Sequence, residues 1–441
     1  MKKIILLFIA LILSNCSFDD KTGIWKNSNR IDIKTENRFK DFKTLYSKEK
    51  TFNSIIAPPK DLKVILDPSK TNIQWNDEFY QNSNNTDNFN YKDINELIFK
   101  SRKISGQKVK ENILFDGKNI VSSDVKGNII IYSFEKKQII YKYNFYKKKY
   151  GKINKKLYFA IENNIIYVGD NLGYIYALDY LKDRLLWAKD YKIPFRSNLK
   201  ISNNNVVLAD QNNSLYVLNK LNGERIKFIP TEEVVLKNDF ISSIALDKSS
   251  LLYLNTYGSL YSINRNNFRI NWFINLNQSI DLNLGSLFFS NPILTHREQI
   301  IISTDPNLYL INLSTGSTIS KLSITSIVKP IASGKNLFLI TKDNLLTCID
   351  LKTGKIIYSL DISKEIGNFL NTKSKKINIK SLSLVNNNLF LFLDNSYLVQ
   401  FTSKGKIKKI NKLSDKLGTY PIFVNQSILY FNKKNNLIVL N

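Results

Sequence analysis

Few side chains in this sequence have the chemistry of a catalyst. His296 is the only histidine, and Cys16 and Cys348 are the only cysteines. A Cys-His or Ser-His-Asp arrangement would have to be built on one imidazole, and a disulfide framework or multi-cysteine metal site has too few thiols. His296 lies in Asn291-Pro292-Ile293-Leu294-Thr295-His296-Arg297-Glu298 and is expected on a surface turn between strands. Cys348 sits inside the apolar run Leu345-Leu346-Thr347-Cys348-Ile349. It is expected to be a buried small hydrophobe, not a reactive thiol. Asp170, Asp210 and Asp350 recur at equivalent places in repeated segments, which marks them as turn residues and not as an acid/base pair. No phosphate-cradling glycine loop, HExxH or GxSxG motif occurs. Most enzyme classes are disfavoured, and no catalytic residue, metal ligand or cofactor is expected.

The charge is lopsided, with 64 Lys and Arg against 37 Asp and Glu and a formal net charge of +27. Such a balance suits an anionic partner, lipid or nucleic acid. The lysines are dispersed along the chain, however, whereas a nucleic-acid footprint concentrates on one element or face. The alternation Tyr141-Lys142-Tyr143-Asn144-Phe145-Tyr146-Lys147 describes a strand with one buried and one solvated face. No nucleic-acid partner is expected.

The elements that carry these residues repeat. One unit is Ile165-Ile166-Tyr167-Val168-Gly169-Asp170, then Tyr174-Ile175-Tyr176-Ala177-Leu178-Asp179, then Leu185-Leu186-Trp187. The first apolar residues of the copies are Ile120, Ile165, Val206, Leu251, Ile300, Leu337, Leu389 and Ile428, a mean spacing of 44 residues. The runs are short, β-branched or aromatic and bounded by Asn, Asp and Gly, so they are strands. Eight copies at this spacing predict an all-β, eight-bladed β-propeller of four-stranded blades. The last copy ends at Leu440-Asn441, one strand short, and Asn72-Ile73-Gln74-Trp75 is expected to close the ring as the missing outer strand. Gln81 to Asn90 is expected to be a loose polar loop. Asparagine fills many turns, as at Asn163-Asn164, Asn203-Asn204-Asn205 and Asn386-Asn387-Asn388. After glycine it best tolerates the left-handed conformation, so a chain of 16 glycines can still turn this often.

The N-terminus reads as an address. Lys2 and Lys3 precede an apolar run from Ile4 to Leu13, too short to span a bilayer and of signal-peptide length. It ends in Leu13-Ser14-Asn15-Cys16, which resembles the lipobox of bacterial lipoproteins and implies lipidation of Cys16. Ser17, in place of an aspartate, favours the outer membrane by the same resemblance. The expected organisation is a signal peptide over 1–15, a flexible tether over 16–53 and the propeller over 54–441.

The phrase at 174–179, with Asn222-Gly223 and Thr353-Gly354 in turns and Trp187 or Trp272 after strands, resembles the pyrroloquinoline-quinone-type (PQQ-like) propeller repeat. Phe228 and Tyr358 stand where that repeat has tryptophan. Over about residues 71–441, with the lipoprotein signal, the chain is similar to the BamB-type outer-membrane protein assembly lipoproteins. That resemblance implies a non-enzymatic, periplasm-facing scaffold of the β-barrel assembly (BAM) machinery, anchored to the outer membrane by lipid. Its implied partners are a BamA-like barrel protein, other assembly lipoproteins and unfolded outer-membrane proteins. It also implies that Phe195 and Arg196, in Ile193-Pro194-Phe195-Arg196-Ser197, and Asp239, in Asn238-Asp239-Phe240-Ile241-Ser242-Ser243, share one rim and face the partner. The alternatives are a quinone- or metal-dependent propeller enzyme, with carboxylates converging in a central funnel, and a basic lipid- or glycan-binding propeller, with lysines on one side.

Overall fold

The computed structural model describes residues 16–18, 25–27, 51–233, 240–277 and 288–441. The expected signal peptide lies outside them. Of the expected tether, Cys16–Phe18 pairs antiparallel with Trp25–Asn27, and a separate compact unit runs from Thr51 to Asn441.

That unit is an eight-bladed propeller, each blade an antiparallel meander counted here from the axis outward. Blade 2 is typical, with Leu157–Glu162, Ile165–Asp170, Tyr174–Asp179 and Arg184–Asp190 in order. Its first three strands are almost wholly buried, while the outer one alternates with solvent. Neighbouring blades cover both faces of the inner strands, which is why these read as continuous apolar runs. The apolar clusters accordingly lie between blades. Val207, Val217, Leu251 and Ile263 join blades 3 and 4, and Ile300, Ile302, Leu252 and Leu260 join blades 4 and 5.

The recurrent aspartates are turn residues. Asp170 Oδ1 accepts from the N–H groups of Leu172 and Tyr174, and Asp210 Oδ1 from those of Asn212 and Ser214. Asn163, Asn203, Asn386 and Asn387 take positive φ. The aromatic near the end of the outer strand ties a blade to its successor. Trp187 Nε1 donates to Lys220 O at 2.9 Å and Trp272 Nε1 to Leu313 O at 3.2 Å. Tyr358, standing in for tryptophan, makes the same link through its hydroxyl to Ser403 O at 2.8 Å.

The ring closes with an N-terminal strand, but not the one expected. Leu97–Lys103 pairs with Asn436–Leu440 as the outer strand of blade 8. Asn72 to Trp75 lies on the axis instead, where Trp75 pairs with Phe115 of the innermost strand of blade 1. Leu97–Lys103 opens with Leu97-Ile98-Phe99, an apolar pair and an aromatic as in Leu185-Leu186-Trp187, and Phe99 contacts Tyr132 of blade 1 at 6.2 Å between ring centroids. Two segments thus resembled the missing strand, and Asn72 to Trp75 was the wrong one.

Gln81 to Asn90 is not a loose loop. Asn84, Asn85, Thr86, Asn88 and Phe89 are buried, and residues 65–91 thread the centre of the ring. Innermost strands direct backbone groups at the axis, where each needs a partner, and asparagine offers both donors and an acceptor. Asn84 Nδ2 donates to Ile244 O and Ile293 O, each at 2.9 Å. Asn85 exchanges two hydrogen bonds with the Ala332 backbone, and Asn72 Nδ2 donates to Phe423 O. Ile161, Leu246 and Thr295 donate their N–H groups to the carbonyls of Asn76, Asn82 and Ser83. Asn88–Phe89 lies parallel to Leu384–Val385 of blade 7, and Lys200 of blade 3 donates to Gln81 O. The plug thus touches all eight blades.

Candidate functional site: a loop face over a plugged axis

The connections between blades and the turns between second and third strands share one face of the disc, because antiparallel strands alternate their ends. Arg196 lies there, between blades 2 and 3. Its N–H donates to Ala209 O and its carbonyl accepts from Ser242 N, both within 2.9 Å, and Ser197 bridges Ser242 in parallel. The two connections singled out in the sequence, before blade 3 and before blade 4, therefore lie side by side. Asp239 falls outside the described residues.

Phe195 departs from its expected exposure. It is 0% exposed and packs against Tyr191 and Tyr216, while its N–H donates to Asp170 O. It fills the core between blades 2 and 3, so its side chain holds the Arg196 loop from beneath and presents nothing to a partner. His296 likewise is not on a free turn. It ends the innermost strand of blade 5 with an 11% exposed side chain, and its Nε2 lies 3.0 Å from Gly334 O of blade 6. Cys348 is fully buried, and burial pushes its thiol pKa well above the ordinary value.

Sequence reasoning missed a set of exposed apolar side chains on the Arg196 face. Ile241, Phe289, Ile327 and Tyr420 are all exposed, and Phe289 contacts Phe240 at 5.3 Å between ring centroids. Ile241, Ile327 and Tyr420 border a funnel of about 370 Å³ whose floor is Glu78 and Phe79 of the plug. The signal was available, since apolar residues in polar connections between strands are not needed for any core. An exposed apolar group rimmed by polar residues is the usual mark of a protein-binding surface. The opposite face opens on a cavity of about 970 Å³ lined by Asp77, Glu162, Arg265 and Arg297 among others.

Between the funnels the plug holds buried charge. Asp77 Oδ2 lies 2.7 Å from Lys200 Nζ, with both side chains inaccessible or nearly so. Burial raises the Asp77 pKa while the Lys200 ammonium beside it opposes the rise. Burial also raises Glu78, opposed by Lys110. Lys329 Nζ donates to Phe79 O and Asn84 O, and burial, assisted by the charge on Lys200, lowers its pKa to about 7. The carboxylates that converge on the axis are thus met by lysines of the same chain. Among the described residues, no group of three or more His, Cys, Asp or Glu could hold a metal ion.

With this geometry in view, three solved structures are similar to this chain. The structure of BamB from Moraxella catarrhalis matches with a TM-score of 0.59 at 12% identity, covering 78% of this chain and 99% of that one. The computationally designed Ika8 protein matches with a TM-score of 0.56 at 12% identity, over 77% and 98%. Quinohemoprotein alcohol dehydrogenase from Comamonas testosteroni matches with a TM-score of 0.61 at 9% identity, over 83% and 80%. At these identities the three establish the propeller alone. No curated protein matches this sequence. The family described as outer membrane protein assembly factor BamB matches residues 137–359, from the outer strand of blade 1 to that of blade 6. That span is half the chain, and the chain belongs to this BamB family of PQQ-like β-propellers.

Proposed function

We propose that this protein is a non-enzymatic scaffold of outer-membrane protein assembly, held at the periplasmic face of the outer membrane by lipid on Cys16. The face around Arg196 binds a BamA-like barrel protein, and other assembly lipoproteins and unfolded barrel proteins gather beside it. The observation that carries this reading is the exposed apolar group Ile241, Phe289, Ile327 and Tyr420, set beside the joined connections of Arg196 and Ser242 in a chain of this family. An enzymatic reading is disfavoured because the axis is filled by the chain's own residues and the Asp77 carboxylate is committed to Lys200.

The test is affinity purification of the lipidated protein from its own envelope, followed by mass spectrometry. A BamA-like barrel protein should be recovered, and Arg196→Glu or Ile241→Asp should reduce its recovery at least tenfold. Recovery of other envelope proteins in its place, or equal recovery with both variants, overturns the reading.

A further inference from the structure

The outer strand of each blade ends its sheet and leaves one row of backbone groups unpaired, which invites pairing with any extended chain. Proteins guard such edges with charged residues, lysine above all. Six of the eight outer strands here carry lysine or arginine, among them Lys142 in Gln138–Asn144, Arg225 and Lys227 in Arg225–Ile229, and Lys408, Lys409 and Lys412 in Ile407–Lys412. Two carry neither, Ile270–Asn275 of blade 4 and Ile356–Asp361 of blade 6.

Blade 6 is covered by its own chain. Ile56 N donates to Ser359 O and Ser359 N to Ile56 O, both at 2.9 Å, so the segment leading to the plug adds a short strand to this edge. Blade 4 has the same register, with no cover among the described residues. Phe273 pairs with Tyr261 as Ser359 pairs with Thr347, two residues before the bulge in each third strand. Leu276 N donates to Gly258 O. The alternation of antiparallel bonding then turns the backbone groups of Phe273 and Asn275 away from the sheet. Among the described residues nothing pairs with them. Phe273 is 60% exposed and Ile270 47%, so the unguarded edge also presents apolar side chains.

We propose that the outer edge of blade 4 is a docking site for an extended polypeptide segment of alternating apolar and polar residues. The segment adds a strand through the backbone of Phe273 and Asn275, as Ile56 does in blade 6, and lays an apolar side chain against Phe273. Taking it to be an unassembled outer-membrane β-strand rests on the assembly reading above, whereas the pairing itself does not.

The experiment uses the full-length protein and a fluorescein-labelled ten-residue peptide alternating valine or tyrosine with threonine, followed by anisotropy. Saturable binding is expected, weakened at least tenfold by Phe273→Lys and by Ile270→Lys and unchanged by Ile55→Lys, an exposed position beside the covered edge. Benzoylphenylalanine at position 273 should crosslink to the peptide. Absence of binding, equal affinity in Phe273→Lys, or a crosslink from 273 to a second copy of this chain overturns the proposal. Recovery of the BamA-like protein with Phe273→Lys is scored separately. Its loss from the wild type with peptide binding intact removes the assembly reading and leaves the docking site standing.

Discussion

Replacing Lys200 with methionine tests whether the plug is held by charge. The Asp77–Lys200 contact is 2.7 Å long between side chains that are 7% and 0% exposed. At an effective dielectric constant of about 20, charges that close attract by roughly 6 kcal/mol, against a desolvation cost of several kcal/mol for each ion. The intact pair is therefore worth little net, yet removing one partner strands a buried carboxylate and should cost about 3–5 kcal/mol. Asp77→Asn should cost less, because Lys200 Nζ keeps its bond to Gln81 O. The double variant should be more stable than the summed single losses imply, with a coupling of about 2–3 kcal/mol. Denaturation of the four proteins measures this, and proteolysis within residues 70–90 reports whether the plug loosens first. The pH dependence adds a sign. In Lys200→Met the two influences of Lys200 that oppose burial are gone, so the Asp77 pKa rises further above its unfolded value. Stability is then greatest at low pH and falls as pH rises through the folded pKa. A loss under about 1 kcal/mol, additive single losses, or a variant that gains stability from pH 5 to 8 relative to the wild type would refute the argument.

Lys329 predicts the opposite slope. Its folded pKa of about 7 lies below the ordinary lysine value of 10.5, so from pH 7 to 10.5 the unfolded chain holds the extra proton and stability rises with pH. The wild type should gain on Lys329→Met over that window, and a gap constant with pH in thermal melts sinks the assignment. Asn84→Ala removes donors from Ile244 O and Ile293 O. Ile244 O keeps its bond from Asn198 Nδ2 at 2.8 Å, so only Ile293 O is stranded and the loss should be about 1–3 kcal/mol by denaturant titration. An unchanged stability would mean that this plug contact is dispensable. Gly223 has φ +71°, and a Cβ there would collide with the Trp187 ring. Gly223→Ala should therefore lower stability by about 1–3 kcal/mol, and an unchanged melting temperature would contradict the account of blade-to-blade tethering.

Much of the fold was legible because a propeller repeats. Each blade satisfies its hydrogen bonds over spans of about ten residues, so Ile165 to Trp187 carries its strands, its Asp170 turn and its docking aromatic in local order. The Tyr358 substitution was visible, but that its hydroxyl replaces the indole donor was not, because the acceptor, Ser403 O, lies 45 residues away. Of the residues that the family resemblance assigns to one rim, Arg196 lies in the connection between blades 2 and 3. Phe195 is buried because a side chain's depth depends on which neighbours, here Tyr191 and Tyr216, reach it from other strands.

The sequence by itself determined the all-β class, the eight blades and their turns, since apolar runs, bounding Asn and Asp residues and the mean spacing are local properties that repetition amplifies. It could not decide which N-terminal segment closes the ring or what fills the axis. Leu97–Lys103 rather than Asn72–Trp75 joins blade 8, and Asn84 and Asn85 reach Ile244, Ile293 and Ala332 across 160 to 247 residues. Such partnerships exist only once the ring has formed. A run of asparagines looks the same in a sequence whether it meets water or the backbone groups of eight converging strands, and the tertiary structure alone supplies the second partner.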